Sequence, residues 1–132
     1  MPVPGLTTIR SAHGPRETMD RLEAAVRSKG MTVFARIDHS AGASAVGMSL
    51  NPTEVLVFGN PKGGTPLMQS VQTIGIDLPL KALVWQDTSG GTWLSHNDPA
   101  YLAERHGLSR TEGAIANLAA ALNAVTKVAA LA

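Results

Sequence analysis

The sequence has no cysteine and unusually little charge. Without cysteine, disulfides, thiol nucleophiles, zinc ribbons and iron–sulfur clusters are all excluded. Charged residues make up 16% of the 132-residue chain, against roughly 25% in an average globular protein. Lys and Arg number 11 and Asp and Glu number 10, so the basic excess typical of a nucleic-acid-binding domain is missing. Because so little charge covers the surface, we expect apolar surface to meet a partner, and we predict a homodimer.

Long apolar runs are also scarce. Residues 1–5 have neither the basic start nor the apolar stretch of a secretory signal. The Ala-rich uncharged stretch 113–126 contains two Asn and falls short of the ~20 residues that a membrane span needs. We therefore expect a cytoplasmic protein without a membrane partner. The length and the 44% apolar composition fit one folded domain over residues 1–132.

Hydrophobic periodicity predicts the element order β-α-β-β-β-β-α. The strands are expected at residues 6–11, 31–38, 53–58, 80–86 and 92–95. One main helix runs from Pro15 to Gly30, and a second occupies the C-terminal part of the chain after a capping box, Ser109 to Glu112. Because the strands come in a run rather than alternating with long helices, we predict an α+β domain with a single antiparallel sheet.

Four connecting segments are predicted to form loops or short helices. Residues 39–52 form either a loop or a short helix over 42–48, and 59–66 form a tight connection rich in Gly and Pro. Apolar residues at helical spacing predict a short helix near 66–74, and Asp98-Pro99 begins another that ends at 106.

Three strings in the sequence are distinctive together: FGNPKGGTPLMQ at 58–69, DLPLKALVW at 77–85 and WLSHNDP at 93–99. With Asp38-His39 upstream, they resemble the DUF302 family, a family of unknown function. The resemblance covers residues 6–128 and implies a TATA-binding-protein-like α+β domain, often paired as a homodimer. The family commonly has Tyr where this chain has His96, so a role for that imidazole would be peculiar to this member. The family name implies no reaction.

Asp38 and His39 lie where a predicted strand ends, a common position for functional groups. One interpretation is that His39 binds a ligand or moves a proton as a general acid or base. The alternative is that Asp38 caps loop amides and His39 packs at the rim of the sheet. Neighbouring strand residues point to opposite faces, so Asp38 is not expected to orient His39.

The glycine-rich segment 59–65 is the second candidate. Its backbone N–H groups and the following helix start suit an anion, with Lys62 adding a charge and Thr65 a hydroxyl. The order differs from a phosphate-binding loop, in which Lys follows the glycines, so nucleotide binding is not supported. The alternative is a structural turn that Asn60 fixes by a bond from its side chain to the backbone.

Other catalytic patterns are absent from the sequence. The four His follow no metal-ligand spacing, no nucleophile elbow is present, and we predict no metal and no cofactor. Trp85 and Trp93 lie on the two arms of the predicted hairpin, where they pack across it or line a pocket.

These observations favour a homodimer that binds a small anionic or polar ligand, without nucleic acid. Its polar lining would be Asp38, His39, Asn60, Lys62 and Thr65, with Trp85 and Trp93 as an apolar wall. The alternatives are a small enzyme that uses His39 as general acid or base, and a purely structural or interaction module. A single pocket requires that the strand ends at His39 and Gly59 lie on the same edge of the sheet.

Overall fold

The computed structural model of the chain describes residues 2–110 and 112–132. Its strands are β1 (Leu6–Arg10), β2 (Thr32–Asp38), β3 (Thr53–Gly59), β4 (Leu80–Gln86) and β5 (Thr92–Asn97). Its α-helices are α1 (Pro15–Ser28), α2 (His39–Ala45), α3 (Pro61–Ser70), α4 (Pro99–Arg105) and α5 (Gly113–Ala130), with a 3₁₀ helix at Gln72–Ile76.

The five strands form one antiparallel sheet in the order β1-β5-β4-β3-β2. The predicted fold class, α+β with a single antiparallel sheet, is confirmed. Strands β1 and β2 lie at the edges, and β3, β4 and β5 lie in the interior, as the continuous apolar run of β3 indicates for that strand. Between Val33 and Ala35 the register of β2 shifts by a bulge at Phe34.

The main core lies between one face of the sheet and the helices α1 and α5. Alternating residues of the inner strands point toward these helices, as the two-residue period of a strand requires. The fully buried members include Leu56 and Phe58 of β3, Val84 of β4, Leu22 of α1 and Val125 of α5. A second cluster of Leu67, Ile74, Ala103 and Ile115 joins α3, the 3₁₀ helix and α4 to α5.

Three short helices begin at side-chain caps. Asp38 Oδ1 accepts from the N–H of Ala41, Asn60 Oδ1 from that of Lys62, and Asp98 Oδ1 from that of Ala100. In α3 and α4 a proline follows the cap at the first helical position, where its missing N–H leaves no bond unmade. The cap role predicted for Asp98 is confirmed, as is the side-chain-to-backbone bond of Asn60.

Some predicted boundaries are wrong. The segment 59–66 is not a tight connection, because Asn60 and Pro61 begin α3 there and Pro66 lies inside the helix. The helix also does not continue to residue 74: it ends at Ser70, Val71 is extended, and the 3₁₀ helix follows.

Two further boundaries differ from the predictions. The short helix expected over 42–48 is α2, and it begins earlier, at His39. Helix α5 begins at Gly113 with Glu112 at the N-cap and no side-chain cap bond, so Ser109 is not its N-cap residue. Thr111 of the predicted capping box lies outside the described residues.

By length and composition alone, α5 is apolar enough to cross a membrane. Such a helix is weak evidence, because a buried core helix has the same composition. In this structure α5 places Leu122, Val125 and Ala129 in the main core. Packing within the domain therefore accounts for the apolar residues on its buried face.

Candidate functional site

The sheet register separates the two halves of the predicted ligand site. Strands β2 and β3 are direct antiparallel neighbours, with Asp38 opposite Glu54 and Thr32 opposite Gly59. Five residues along β3 separate Glu54 from Gly59, which is about 17 Å at the usual strand rise. His39, which follows Asp38, and the segment that follows Gly59 therefore lie at opposite ends of the sheet. The expectation of one shared pocket is wrong.

The segment after Gly59 lines a cavity of about 310 Å³, here called the α3 cleft. One wall is a face of α3 with Pro61, Gly64, Thr65 and Met68 at helical spacing. Opposite and around it lie Phe34 of the β2 bulge, Gly59, Asn60, 78–80 and Leu118 of α5. The lining is almost entirely apolar, and its polar side chains are Asn60 and Thr65.

Of the predicted ligand residues, Asn60 and Thr65 thus line the α3 cleft and Lys62 does not. Lys62 lies on the exposed face of α3, outside the cleft lining. The N–H groups of Gly63 and Gly64 both donate to the carbonyl of Asn60, so they do not form a free anion-binding loop. The glycine-rich segment therefore forms a helix start, and the anion-binding interpretation is wrong for these amides.

Phe34 is the cleft residue that sequence reasoning missed most clearly. As the extra residue of a bulge it falls outside the alternation of β2, and 52% of its surface is exposed. Met68, Leu78 and Leu118 were assigned only to helix or turn positions. Their apolar character was visible, but their convergence depends on three separate elements meeting.

Asp38 lies instead in a polar cleft of about 480 Å³ between the start of α1 and the ends of β2 and β3. The floor is an ion-pair network: Arg36 donates to Glu54 at 2.8 Å, Asp20 at 2.9 Å and Glu23 at 3.2 Å. Hydrogen bonding to Glu54, with the other two carboxylates, raises the pKa of Arg36 above its ordinary value. The network ties edge strand β2 to α1.

Asp38 has a local structural role in that cleft. Its Oδ1 accepts from the Ser40 hydroxyl at 2.6 Å and from the N–H of Ala41 at 2.9 Å. The hydrogen bond from Ser40 contributes most, and that from Ala41 contributes next, to holding the pKa of Asp38 below its ordinary value. Beside it, His39 is exposed as the first residue of α2 and does not belong to the cleft lining.

Trp85 and Trp93 lie on the sheet face opposite the main core. We call this the open sheet face and define it by Val55, Val57, Lys81, Leu83, Trp85, Trp93 and Ser95. The two rings stack with centroids 6.2 Å apart, and Arg10 lies over Trp93 at 5.0 Å. Trp85 lines a shallow depression of about 330 Å³ on this face. Neither ring lines the α3 cleft. The two tryptophans therefore do not form the predicted apolar wall of the ligand site and belong to the open sheet face instead.

Hydrogen bonds fix both tryptophans. Trp85 Nε1 donates to Ser95 Oγ at 2.9 Å, and Ser95 Oγ is 2.8 Å from Thr8 Oγ1 on β1. Trp93 Nε1 donates to Asp87 Oδ2 at 2.7 Å, and this bond is the main cause of the lowered pKa of Asp87. These bonds hold both indole rings in place on the open sheet face.

A cluster around Asp77 was not predicted from the sequence. Asp77 Oδ2 is 2.6 Å from His106 Nε2 and 2.8 Å from Arg105 Nη1, and His106 Nδ1 is 3.0 Å from Thr73 Oγ1. Burial opposes ionisation of Asp77, but the bonds from His106 and Arg105 outweigh it, so the pKa lies below its ordinary value. The cluster joins the 3₁₀ helix to the end of α4.

Within residues 2–110 and 112–132, no group of three or more His, Asp or Glu is arranged to hold a metal ion. His96 is buried in β5, with Nδ1 3.0 Å from the carbonyl of Asn97. The cavity whose lining combines apolar walls with a few polar groups is the α3 cleft, and this is the usual composition of a small-molecule site.

Comparison with known proteins gives a family and a fold. The family model described as "Domain of unknown function DUF302" matches residues 7–125. A crystal structure of an uncharacterized conserved DUF302 protein from Bacillus stearothermophilus superposes with a TM-score of 0.85. The two proteins are 21% identical, and the superposition covers 96% of this chain and 99% of that one.

Curated relatives come from Brucella. The chain is 50% identical over 127 residues to proteins named fluoride-specific ion channel FluC 1 in Brucella suis and Brucella abortus. These alignments cover 96% of this chain but 50% and 47% of the two relatives. The chain therefore spans about half the length of the curated relatives it matches.

Proposed function

The chain belongs to the DUF302 family, whose function is unknown, and we propose that it binds a small organic molecule in the α3 cleft. The observation that carries this proposal is the cleft itself. At about 310 Å³, its volume is at the lower end of the range for small-molecule sites. Its apolar walls would supply the affinity, while Asn60 and Thr65 at the end of the sheet would orient the ligand.

The position of the cleft also supports binding. One wall is a helix that contains Gly63 and Gly64, although Ala would be favoured there by about 1 kcal/mol per residue. A Cβ at Gly64 would meet Leu78 Cδ1 at 3.5 Å, which is ordinary van der Waals contact. Packing therefore does not demand glycine at this position, and its effect is to keep the cleft wide.

A fragment screen by protein-observed NMR tests the proposal. Hits should shift the amide signals of Gly59, Gly64 and Met68 and leave those of Thr53 and Trp85 at the far end of the sheet unchanged. Gly64→Leu should abolish these shifts, because Leu keeps the helix and fills the space. Ala116→Leu, on the exposed side of α5, is the matched control and should bind as the wild type does. Hits confined to the polar cleft, or no hits, would contradict the proposal.

The Brucella relatives favour a second candidate function, an accessory role beside a fluoride channel. Fluoride is a small, strongly hydrated anion that needs several donors in place of its water. The α3 cleft offers few donors, and the apolar helix α5 is used in the core. We propose that ion conduction in those relatives resides in the unmatched half, and that the half like this chain binds a small molecule.

Fluoride efflux from proteoliposomes tests that division of roles. The complete Brucella suis relative and a version without the matched half would be compared with a fluoride-selective electrode. Efflux should persist in the shorter version. In parallel, sodium fluoride added to this 132-residue chain should not shift its cleft amides. Specific shifts at Gly64 and Met68 on fluoride addition would contradict the proposal.

The partner that we propose is a second copy of this chain, docked on the open sheet face. An exposed antiparallel sheet face is ordinarily polar, whereas this one presents Val55, Val57, Leu83 and Trp85. Its cations are Lys81 and, beside Trp93, Arg10. Apolar surface of this kind, together with the low charge of the chain, supports a homodimer, which we expect in the cytoplasm.

Catalysis by His39 gains little support from the geometry. Its ring is exposed, and the residues near it, Asp38 and Ser40, are bonded to each other. A general acid or base works within a site that binds the substrate, and the α3 cleft lies at the other end of the sheet. Ligand binding is therefore the function we favour.

A further inference from the structure

We propose that the α3 cleft selects an uncharged ligand with a flat apolar body and one hydrogen-bond acceptor at its edge. This inference rests on the proposed binding function and narrows it to a ligand class. The sequence predicted a small anionic or polar ligand. The inference differs from that prediction in excluding a charged ligand.

The lining of the cleft carries no charged side chain among the described residues. The charged residues next to the lining in sequence are directed elsewhere. Lys62 is on the outer face of α3, Lys81 is on the open sheet face, and Asp77 is paired with His106 and Arg105. A carboxylate in the cleft would lose water without gaining a cation, which is costly in an apolar site. The cleft therefore disfavours anions.

The residues that line the cleft suit a flat molecule. Phe34 offers an aromatic ring at one side, and Met68 has a flexible thioether that adapts to a flat surface. Gly64 presents backbone instead of a side chain, so a ligand can lie directly against α3. A dry cavity of about 150 Å³ accommodates benzene. The roughly doubled volume here, about 310 Å³, corresponds to a fused pair of rings.

The hydrogen bonds that Asn60 already makes determine which polar group of a ligand it can bind. Asn60 Oδ1 accepts from the N–H of Lys62, so the part of the amide left for a ligand is its donor, Nδ2. Thr65 is exposed and lines the cleft, and its hydroxyl can either donate or accept. A ligand oxygen that accepts from Asn60 therefore matches both groups, as a hydroxyl or carbonyl does.

Three probes of one shape separate these features: 2-naphthol, which is uncharged at neutral pH, 2-naphthoate, which is anionic, and naphthalene, which has no polar group. Each would be titrated into the full chain and followed by the amide shifts of Gly59 and Gly64. We expect 2-naphthol to bind at least tenfold more tightly than 2-naphthoate and several-fold more tightly than naphthalene.

Two variants assign the selectivity to the cleft. Thr65→Val keeps the volume and removes the hydroxyl, so it should weaken 2-naphthol binding several-fold and leave naphthalene binding unchanged. Gly64→Leu should abolish the binding of all three probes, and the control Ala116→Leu should not alter it.

The outcomes distinguish the inference from the proposed function. Equal or tighter binding of 2-naphthoate in the cleft would overturn the uncharged-ligand inference while leaving small-molecule binding intact. Equal binding of naphthalene and 2-naphthol would overturn the requirement for an acceptor. Failure of all three probes to bind would count against both the inference and the proposed function.

Discussion

The side chain of Asp77 links the 3₁₀ helix to the end of α4. It follows the 3₁₀ helix directly, yet its carboxylate receives bonds from Arg105 at the end of α4 and is 2.6 Å from His106 Nε2. Its side chain is 13% exposed and that of His106 is 8% exposed, so water competes little for the pair. The carboxylate therefore stabilises the docking of α4 while it is ionised.

Replacing Asp77 with Asn should lower stability and change its dependence on pH. Because the folded pKa lies below the unfolded value, the stabilisation is present above about pH 4 and is lost as the pH falls through the folded pKa. At neutral pH we expect Asp77→Asn to lower the free energy of unfolding by about 1–3 kcal/mol. Between about pH 5 and 2 the wild type should lose more stability than the variant does.

Urea unfolding at a series of pH values measures this difference. Glu104→Gln is the matched control, because its carboxylate pairs with Arg110 on the exposed surface and such pairs contribute little. Parallel pH curves for the wild type and Asp77→Asn would contradict the role assigned to Asp77.

At the scale of single residues, the sequence indicated local roles well and distant partners poorly. The caps at Asn60 and Asp98 depend on neighbours two residues away, so their patterns were readable. The ion pair of Arg36 with Asp20 depends on the position of α1, and the place of Phe34 in the cleft depends on a bulge in β2. No local sequence pattern specifies either feature. The polar residues Asn60 and Thr65 were selected for a ligand site, but the apolar walls around them were not.

Helix α3 is the element whose sequence was most misleading. Two glycines and two prolines within six residues predict a break in the chain. Pro61 instead follows the Asn60 cap, and Pro66 removes an N–H whose helical acceptor is the carbonyl of Lys62, on the exposed face. Water can bond that carbonyl, so the helix tolerates the proline.

Strand β3 is the element that the sequence predicted best, and it permits a direct stability test. Leu56 and Phe58 are fully buried among α1, α5 and the neighbouring strands. Leu56→Ala or Phe58→Ala should lower the free energy of unfolding by about 2–5 kcal/mol, measured by urea denaturation. The exposed Val128→Ala on α5 should cost less than about 0.5 kcal/mol. A loss this small for both core variants would mean that β3 is misplaced.

For the molecule as a whole, the fold class and the β4–β5 hairpin were predictable, whereas the direct pairing of β2 with β3 was not. A run of strands indicates an antiparallel sheet, and the order of elements follows from periodicity. Whether the chain between His39 and Pro52 crosses over or simply returns depends on tertiary packing. In this structure it holds α2 and returns, so β3 pairs with β2. That single pairing divides the predicted site between two ends of the sheet.

The open sheet face carries the whole-molecule prediction. The wild type should elute and scatter light as a dimer, at twice the 13.7 kDa of the chain. Leu83→Lys places a charge at the centre of the face and should shift the protein to monomer at micromolar concentration, because a buried unpaired charge is costly. Thr88→Lys in the exposed β4–β5 turn is the control and should remain a dimer. A wild-type monomer would refute the proposal.

The placement of Trp85 and Trp93 has a spectroscopic consequence. They are the two tryptophans of the chain, and their stacked indoles both lie on the open sheet face, at the opposite end of the sheet from the α3 cleft. Their emission therefore reports on the surroundings of that face, and the coupling of their transitions adds a signal to the circular dichroism spectrum. Association through that face would change the tryptophan emission, whereas a ligand bound against Gly64 would leave the emission unchanged. The protein thus contains an intrinsic optical probe for one of its two surfaces.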